Sequence, residues 1–482
     1  MAWYNGLMTV TPRLTTWKKI AYGAGDSSFS LTTTALALLY LDFLVNVVGL
    51  APQLAGLSLG VGRVWDALND PLVGTLSDRT RSRWGRRRPY LLFGTIPFAA
   101  SFILMWLTPA TSNQYLLAIY YTAMYIVFDT FFTLVGVPYV ALTPELAPTY
   151  DERTSLHSYR MAFSIIFGLA GAIAPLMIID ALAGPGATLG ERRQAYLLMS
   201  VVLAIVSIPP VYLVFATTHE RPEYQDLPTP SIRESFRMAG SNRAFVIAAG
   251  LYLLTWIPID LMQYVLVFLI RDCFRLGSME RDVIFLLLFG IATLALPLWV
   301  WVSAHWDKKR AYQFGIAFLA VVLAALSFIP STGGSLVFIL AALAGIGLSA
   351  AHAMPLAILP DVVEWDELRS GNRYEAAYYS VLGLIQKIVG AAVIALTGSV
   401  LAHTGYVMAG GTSVSQPASA LRAIRVLCGP LPAFFFFLGI VLAWFYPISR
   451  ERHARILRAL EKKRRLRALT KEGVSEAVNK AS

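Results

Sequence analysis

Apolar stretches of about 20 residues recur along the whole length of this 482-residue chain. A helix needs that length to cross about 30 Å of hydrocarbon. Backbone polar groups in lipid must be satisfied within the protein, so these stretches are expected to be helical. We predict spans at 20–48, 52–77, 89–109, 114–143, 155–183, 193–216, 244–270, 282–304, 311–330, 335–359, 375–402 and 421–447. The sequence therefore predicts an all-α membrane protein with twelve transmembrane helices.

The composition excludes most other classes of protein. Only 14% of the residues are charged, whereas soluble domains have about 25%. The alternation of about ten residues per strand that is typical of membrane β-barrels is absent. Cys273 and Cys428 give neither a disulfide framework nor a metal signature. Residues 1–16 lack the apolar core of a cleavable signal peptide, so we expect the first span to remain as an anchor.

Basic residues are concentrated at one set of helix ends. Residues 78–88 hold six arginines, and the segment after Ile448 holds eleven Lys or Arg. If both termini are cytoplasmic, that side carries 30 Lys and Arg and the opposite side seven, as the positive-inside rule expects. The net charge of +11 then indicates membrane orientation. We expect the lipid bilayer and no nucleic acid as a partner, and a bacterial-type inner (plasma) membrane as the location.

One long connection divides six spans from six. We expect a six-helix half at 1–216, a cytoplasmic linker at 217–243, a second six-helix half at 244–448 and a basic tail at 449–482. Two helical halves around a central cavity suit a carrier that works by alternating access. In the tail, Ile456, Leu457, Leu460 and Leu466 lie among cations. This predicts either an amphipathic helix on the anionic inner leaflet or a solvated, partly disordered segment.

The second span carries the densest set of ionisable residues. Such groups at bilayer depth cost about 2.5–3.5 kcal/mol on insertion scales and usually mark function. Asp66 and Asp70 are four residues apart and share a helical face, with Arg63 one turn earlier. The two carboxylates predict a site for Na⁺, or for a proton, because two like charges disfavour the doubly ionised state. Asn69 offers a further oxygen, and a purely structural ion-pair network is the alternative.

Lys387 is the complementary feature, because it lies in the middle of the eleventh span. A lysine at that depth needs a carboxylate partner, and Asp66 or Asp70 is the natural candidate. The alternative is a structural lysine that faces a water-filled cavity.

Other polar and aromatic residues within spans are weaker candidates. Trp256, Gln263 and Tyr264 on the seventh span and His352 on the tenth are candidates to line a cavity, although packing or an interface belt explains membrane aromatics equally well. Arg160 is expected at the cytoplasmic vestibule. Further intramembrane carboxylates are Asp26, Asp42, Asp129 and Asp260.

Three separated segments resemble one known family. They are Trp65-Asp66-Ala-Leu-Asn69-Asp70-Pro71, Val137-Pro138-Tyr139 continuing to Pro144-Glu145, and Pro360-Asp361-Val-Val-Glu364 followed by Lys387. Together they are similar to the glycoside–pentoside–hexuronide:cation symporters of the major facilitator superfamily, the melibiose permease-like transporters. The resemblance implies a major facilitator fold and covers roughly residues 18 to 400.

The resemblance also implies roles for particular residues. The family's cation-binding aspartates correspond to Asp66 and Asp70, which would be the Na⁺ ligands in a sodium-coupled protein, and its span-11 lysine corresponds to Lys387. The positions of the family's sugar-binding carboxylates and tryptophans hold Ser30, Gly136, Val140 and His352 here. A site without its carboxylates binds hydroxyls poorly, which puts a galactoside in doubt. The proposed substrate cavity also includes Gly383, and the proposed cytoplasmic gate comprises Asp78, Arg79, Arg160 and Asp361.

These features predict a secondary active transporter, a cation-coupled symporter of a sugar, glycoside or uronide. A cation-coupled carrier of a lysolipid or other amphiphile is the alternative, and uniport or efflux also competes with symport. An enzyme is disfavoured because the six histidines show no ligand spacing, and a receptor or scaffold because there is no large ligand-binding domain. We expect a monomer and no cofactor besides the coupling ion, Na⁺ or H⁺.

Overall fold

The computed structural model describes residues 14–147, 150–184, 186–220, 232–330, 334–370, 375–408 and 414–463. Twelve long helices occupy these ranges. They are α1 (Thr16–Val48), α2 (Pro52–Arg79), α3 (Arg88–Met105), α4 (Gln114–Ala141), α5 (Tyr150–Leu182), α6 (Leu189–Thr217), α7 (Arg243–Cys273), α8 (Ser278–His305), α9 (Lys308–Leu326), α10 (Gly334–Ser370), α11 (Glu375–His403) and α12 (Ala418–Trp444). Short helices occur at Thr143–Leu146 and Ile232–Ser241, and residues 450–463 form α13.

The all-helical membrane fold is confirmed. Within the described ranges, eleven helices are long and apolar enough to cross a membrane. The remaining long helix, α2, has 28 residues and is therefore long enough. Its composition falls short because Arg63, Asp66 and Asp70 lie in its middle. The helix that is least suited to lipid is thus the one with the candidate cation ligands.

Several helices depart from regular α-helical geometry near their ends. α1 finishes in a π-helical segment, Phe43–Val48, and α7 finishes in another, Leu269–Cys273. In α12 the regular helix is interrupted at Gly429, between Cys428 and Pro430. π-helical turns are rare and often occur at functional sites.

The contacts between Cα atoms divide the chain into two compact units. The first comprises Met1–Leu36 and Trp65–Leu227, and the second comprises Ala37–Val64 and Pro228–Ser482. Both α1 and α2 are therefore divided along their length. The predicted six-helix halves stay a prediction, and residues 221–231 of the predicted linker lie outside the described ranges.

An aromatic core and paired tyrosines hold the first unit together. Phe98 of α3 packs against Phe29, Phe128 and Phe132, with ring centroids 5.8–6.0 Å apart. Tyr22 of α1 donates to the Tyr139 carbonyl at 2.7 Å, and Tyr139 donates back to the Tyr22 carbonyl at 2.8 Å. These reciprocal bonds fix α1 against α4.

In the second unit, glycines let α2 and α11 approach closely. A Cβ on Gly56 would lie 2.9 Å from the Gly398 Cα, and a Cβ on Gly60 would lie 3.0 Å from the Ala391 carbonyl oxygen. A Cβ on Gly398 would overlap the Pro52 carbonyl oxygen. Helices in membranes pack through such small residues because backbone proximity maximises van der Waals contact.

We expect Gly398→Ala to destabilise the protein by about 1–3 kcal/mol, because the new methyl group forces α2 and α11 apart. Thermal denaturation in detergent measures the loss. Gly383 lies on the same helix, and a Cβ there would meet no heavy atom within 4 Å. Gly383→Ala is therefore the matched control and should leave the melting temperature unchanged or slightly raised. Equal melting temperatures for the two variants would contradict the close approach.

The basic tail begins with a helix that is docked on the second unit. Ile456 and Leu460 of α13 are each 3% exposed, and Arg452 lies over the Trp365 ring with its guanidinium carbon 4.4 Å from the centroid. His453 Nε2 lies 2.6 Å from Glu364 Oε2 on α10. The structure thus differs from both predictions for the tail, since Ile456 and Leu460 are buried in protein, although Leu457 is exposed. Residues after 463 lie outside the described ranges.

We expect Ile456→Asp to release α13, because a buried, unpaired carboxylate is costly and loss of the isoleucine also leaves a cavity. The docking should weaken by about 2–5 kcal/mol. Limited proteolysis would detect new cleavage after Ile448. Leu457→Asp is the control, because Leu457 is 42% exposed. Equal protease resistance of the Ile456 variant and the wild type would show that the docking is not needed for tail protection.

Candidate functional site

The candidate cation ligands lie on a buried face of α2. Asp66 is 9% exposed and Asn69 3%. The opposite side of the helix shows a stripe of exposed apolar residues at a spacing of three or four, namely Val61, Val64, Leu68, Leu72 and Leu76. This stripe suits contact with lipid, so the acidic residues face away from it.

The neighbour of this face is α4. Asn69 Nδ2 lies 3.3 Å from Asp129 Oδ2 and 3.2 Å from the Asp129 carbonyl oxygen. Thr133 Oγ1 donates to Asp70 Oδ1 at 3.4 Å, and Trp65 Nε1 donates to Thr130 Oγ1 at 2.9 Å. The buried carboxylate of Asp129 is therefore bridged by Asn69 to the face that carries Asp66 and Asp70. We call Asp66, Asn69, Asp70, Asp129 and Thr133 the α2–α4 acidic cluster.

The chemistry of this cluster suits a hard cation. Its ligand atoms are carboxylate, amide and hydroxyl oxygens, which hard metal ions prefer over nitrogen and sulfur. Sequence reasoning named Asp129 only as a weak candidate and missed Thr133 altogether. The signal for both was their spacing of four on one face of α4.

The two predicted cationic partners belong to the second unit. Arg63 Nη2 donates to the Tyr264 hydroxyl on α7 at 3.0 Å. Lys387 lies part-buried on α11, next to Gln386. The predicted pairing of Lys387 with Asp66 or Asp70 stays a prediction.

Three of the predicted substrate positions lie in the first unit. Ser30 of α1 shares a hydrogen bond of 2.6 Å with Ser164 of α5. A Cβ on Gly136 would lie 3.5 Å from the Phe29 ring. Val140 is 48% exposed. This region offers hydroxyls and apolar surface in place of carboxylates.

The other predicted substrate positions lie in the second unit, where some of them cluster. Trp256 of α7 and His352 of α10 meet edge to face, with centroids 4.7 Å apart. Tyr264 is 4% exposed and accepts the bond from Arg63. Gln263 lines a small, otherwise apolar cavity between α7, α8, α9 and α10. Gly383 borders open space on α11.

Three of the four predicted gate residues form ion pairs within their own unit. Arg87 Nη2 lies 3.2 Å from Asp78 Oδ1. Arg160 of α5 pairs with Asp26 of α1 at 2.9 Å, and both side chains are buried. Asp361 pairs with Lys308 at 2.6 Å. The fourth gate residue, Arg79, is exposed at the end of α2.

Two glutamates that sequence reasoning missed organise the arginine-rich connection before α3. Glu145, whose side chain is 2% exposed, pairs with Arg86 at 2.7 Å and with Arg87 at 2.8 Å. Glu220 accepts the backbone N–H groups of Arg86, Arg87 and Arg88 at 2.7–2.9 Å. These N–H groups at the start of α3 have no partners within the helix, and a carboxylate there also complements the helix dipole. The arginine run therefore has a structural role in the first unit.

A polar network joins the ends of α1 and α7 in the second unit. Arg271 donates to Asp42 at 2.7 Å, to Asp272 at 2.8 and 3.0 Å, and to the Tyr406 hydroxyl at 2.8 Å. Asn46 donates to Asp42 at 2.7 Å. Burial raises the pKa of Tyr406 well above its ordinary value, so its hydroxyl stays protonated and donates to Asp272.

Among the described residues, one group has the geometry of a metal site. Asp361, Glu364 and His453 bring their ligand atoms within 4.8 Å of one another. Lys308 already pairs with Asp361, and His453 lies 2.6 Å from Glu364. The group therefore acts as an ion-pair network that holds α13 on α10.

Comparison with known proteins identifies the class. The family model "MFS/sugar transport protein" matches residues 21–450. A symporter of Synechocystis sp. that has not been characterised is 34% identical, over 92% of this chain and 96% of its own length. A D-xylose-proton symporter structure covers 89% of this chain and 96% of its own, with a TM-score of 0.63 at 16% identity, which shows a shared fold.

Two further relatives differ in what their names say they transport. The sodium-dependent lysophosphatidylcholine symporter 1-A of Danio rerio is 27% identical, over 91% of this chain and 87% of its own. YagG of Escherichia coli, provisionally named a glycoside/cation symporter, is 28% identical over 98% of this chain and 99% of its own.

The protein is thus a multi-pass integral membrane transporter for a small molecule, and not an enzyme. It belongs to the MFS/sugar transport protein family, and the major facilitator fold expected from the resemblance is confirmed.

Proposed function

We propose that this protein is a cation-coupled symporter that works by alternating access, with Na⁺ or H⁺ as the coupling ion. The α2–α4 acidic cluster carries the proposal. Carboxylates at bilayer depth are costly. Asn69 lies beside the carboxylate of Asp129 and Thr133 beside that of Asp70, and both neighbours carry an oxygen. A cation that binds there removes part of that cost. If the charge of this cluster also acts on the Lys387 ammonium group, ion binding changes the state of both six-helix halves.

The proposed ligands of the ion are Asp66 and Asp70, with oxygens from Asn69 and Thr133. Arg63 and Lys387 are the proposed charge partners. We infer that the gate residues Asp78, Arg79, Arg160 and Asp361 exchange partners during transport, because three of them already form ion pairs. We also propose that the transporter has six-helix halves at 1–216 and 244–448, a cytoplasmic linker at 217–243 and a basic tail at 449–482.

The proposed substrate is a sugar, glycoside or uronide, as the family description suggests. A lysolipid is the second candidate, because similarity to the lysophosphatidylcholine symporter extends over 91% of this chain. Ser30, Gly136 and Val140 also supply no carboxylate for a sugar. We further propose an inner-membrane monomer with cytoplasmic termini, without nucleic-acid partners or a cofactor beyond the coupling ion.

Uptake into proteoliposomes tests this function. Purified protein would be supplied with radiolabelled melibiose, glucuronate or oleoyl-lysophosphatidylcholine, with an inward gradient of Na⁺, of H⁺ or of neither. We expect one substrate class to accumulate above its external concentration only when the gradient of the coupling ion is present. Transport that only equilibrates the substrate under every gradient would contradict symport and indicate a uniporter.

A further inference from the structure

One polar face of the second unit has no role in the cation site. Tyr252, Trp256 and Asp260 lie four residues apart along α7, so they share one side of the helix. Facing them are His352 of α10 and Gln386 of α11: His352 meets Trp256, and Gln386 Oε1 accepts the Tyr252 hydroxyl at 2.8 Å. We call these five residues the α7 polar face.

This face presents donors that lack acceptors. The indole Nε1 of Trp256 is buried and has no hydrogen-bond partner. The side-chain oxygen of Gln386 accepts a hydrogen bond from Tyr252. The amide N–H groups of Gln386 do not take part in this bond. A buried donor without an acceptor is costly, so the unpaired indole N–H points to an acceptor that arrives with a ligand.

The same face presents acceptors that lack donors. Asp260 is part-buried and makes no hydrogen bond or ion pair with the residues that the structure describes. The positive charge of Arg63 acts on it. His352 Nδ1 lies 2.9 Å from the Leu348 carbonyl oxygen. Because a carbonyl only accepts, Nδ1 carries the proton, and Nε2 of the neutral ring is left as an acceptor.

Glycines on α11 leave room in front of this face. A Cβ on Gly390 would lie 3.6 Å from Asp260 Oδ2, and a Cβ on Gly383 would meet no heavy atom within 4 Å. Gly383 precedes Gln386 by three residues and Gly390 follows it by four, so all three lie on one side of α11. Gly390 therefore brings this side of α11 close to the carboxylate, and Gly383 leaves open space on the side that carries Gln386.

We propose that the α7 polar face binds a hydroxyl group of the transported substrate, with Asp260 accepting a hydrogen bond from the hydroxyl and Trp256 Nε1 donating one to its oxygen. A hydroxyl both donates and accepts, so one group satisfies both partners. A quaternary ammonium leaves the indole N–H unpaired, and a phosphate or carboxylate placed there is repelled by Asp260. This inference rests on the proposed transport function and deepens it.

Two substrate classes carry such a hydroxyl: sugars, and lysolipids through the free hydroxyl of glycerol. The test compares each with an analogue that lacks one hydroxyl. The sugar arm uses methyl galactoside and its monodeoxy series. The lipid arm uses oleoyl-lysophosphatidylcholine and its analogue without the glycerol hydroxyl. Uptake and thermal stabilisation are measured for the wild type, Asp260→Asn and Trp256→Phe.

We expect the wild type to bind one deoxy analogue at least about tenfold more weakly than its parent compound. In both variants this ratio should fall below about threefold, because the parent has lost the partner of its hydroxyl. Trp256→Phe keeps an aromatic ring beside His352. It therefore keeps the test decisive if Asp260→Asn does not fold. Trp444→Phe and Glu461→Gln are the matched controls, since both residues are exposed.

The outcomes separate this inference from the proposed function. Gradient-driven uptake with an unchanged ratio in both variants overturns the hydroxyl site and leaves symport intact. If the ratio falls in both variants and uptake does not depend on any ion gradient, the result supports the hydroxyl site and contradicts symport. If the wild type neither binds nor transports any compound of either arm, the hydroxyl assignment is overturned, and stabilisation by Na⁺ alone still reports on the cation cluster.

Discussion

Replacing Asp70 by asparagine is expected to abolish gradient-driven uptake while downhill exchange of substrate continues. Asp70 supplies a carboxylate to the α2–α4 acidic cluster and accepts from Thr133. Removal of one charged ligand should weaken cation affinity about 100-fold, which corresponds to about 2.7 kcal/mol. Asparagine keeps the size and one oxygen, so the carrier should still fold and change conformation. Accumulation under an ion gradient and counterflow without one measure the two activities.

Two controls sharpen this experiment. Glu461→Gln removes an exposed carboxylate from α13 and should change neither activity. Thr133→Val removes only the hydroxyl beside Asp70 and should lower cation affinity by a smaller factor than Asp70→Asn. Concentrative uptake by Asp70→Asn at the wild-type level would remove Asp70 from the coupling mechanism.

Glu145→Gln is expected to destabilise the first unit by about 3–5 kcal/mol, because it removes the buried charge that pairs with two guanidinium groups. Arg86 and Arg87 both pair with Glu145, and their side chains are 8% and 11% exposed. Arg87 also donates to the Ala141 carbonyl, so the disturbance should reach the end of α4. Thermal denaturation in detergent would show the loss as a lower melting temperature.

Asp78→Asn is the comparison for Glu145→Gln, since it removes another carboxylate partner of Arg87. The Asp78 side chain is 46% exposed, and exposed pairs contribute only about 0–1 kcal/mol. A double variant with Glu145→Gln and Arg86→Gln should recover part of the loss, because one buried charge is removed. A melting temperature of Glu145→Gln equal to that of Asp78→Asn would show that the buried network does not stabilise the protein.

The sequence predicts the spans well because hydropathy reports directly on lipid exposure. The exception is α10, which was expected to end at 359 and continues to Ser370. Hydropathy marks where a helix leaves the apolar layer, and α10 continues beyond that point. As a result Asp361 and Glu364 lie on a helix, where they contact Lys308 and His453.

Contacts between helices are the part that periodicity does not predict. The shared face of Asp66 and Asp70 follows from their spacing on α2. Their neighbours Asp129 and Thr133 are about 60 residues away in the chain, and only packing brings α4 beside α2. The same holds for Glu220, which follows α6 and caps the start of α3. Such partners depend on tertiary structure, for which one sequence gives no distance.

The docked tail helix shows a second limit. Cations around Ile456 and Leu460 suggested either a membrane-surface helix or a solvated tail. In the structure these side chains pack into the second unit, and His453 bonds to Glu364. An amphipathic pattern predicts that the apolar face will be buried. It does not show whether lipid or protein buries it.

Calorimetric titration of the purified protein tests the coupling of ion and substrate most directly. Na⁺ would be titrated with and without saturating substrate, and the substrate found in the uptake screen would be titrated with and without saturating Na⁺. Because coupling between two sites is reciprocal, we expect Na⁺ to tighten substrate binding by the same factor by which substrate tightens Na⁺ binding. Asp66→Asn should reduce both factors to about one. Tight binding of the substrate that is unaffected by Na⁺ and by protons alike would contradict cation-coupled symport.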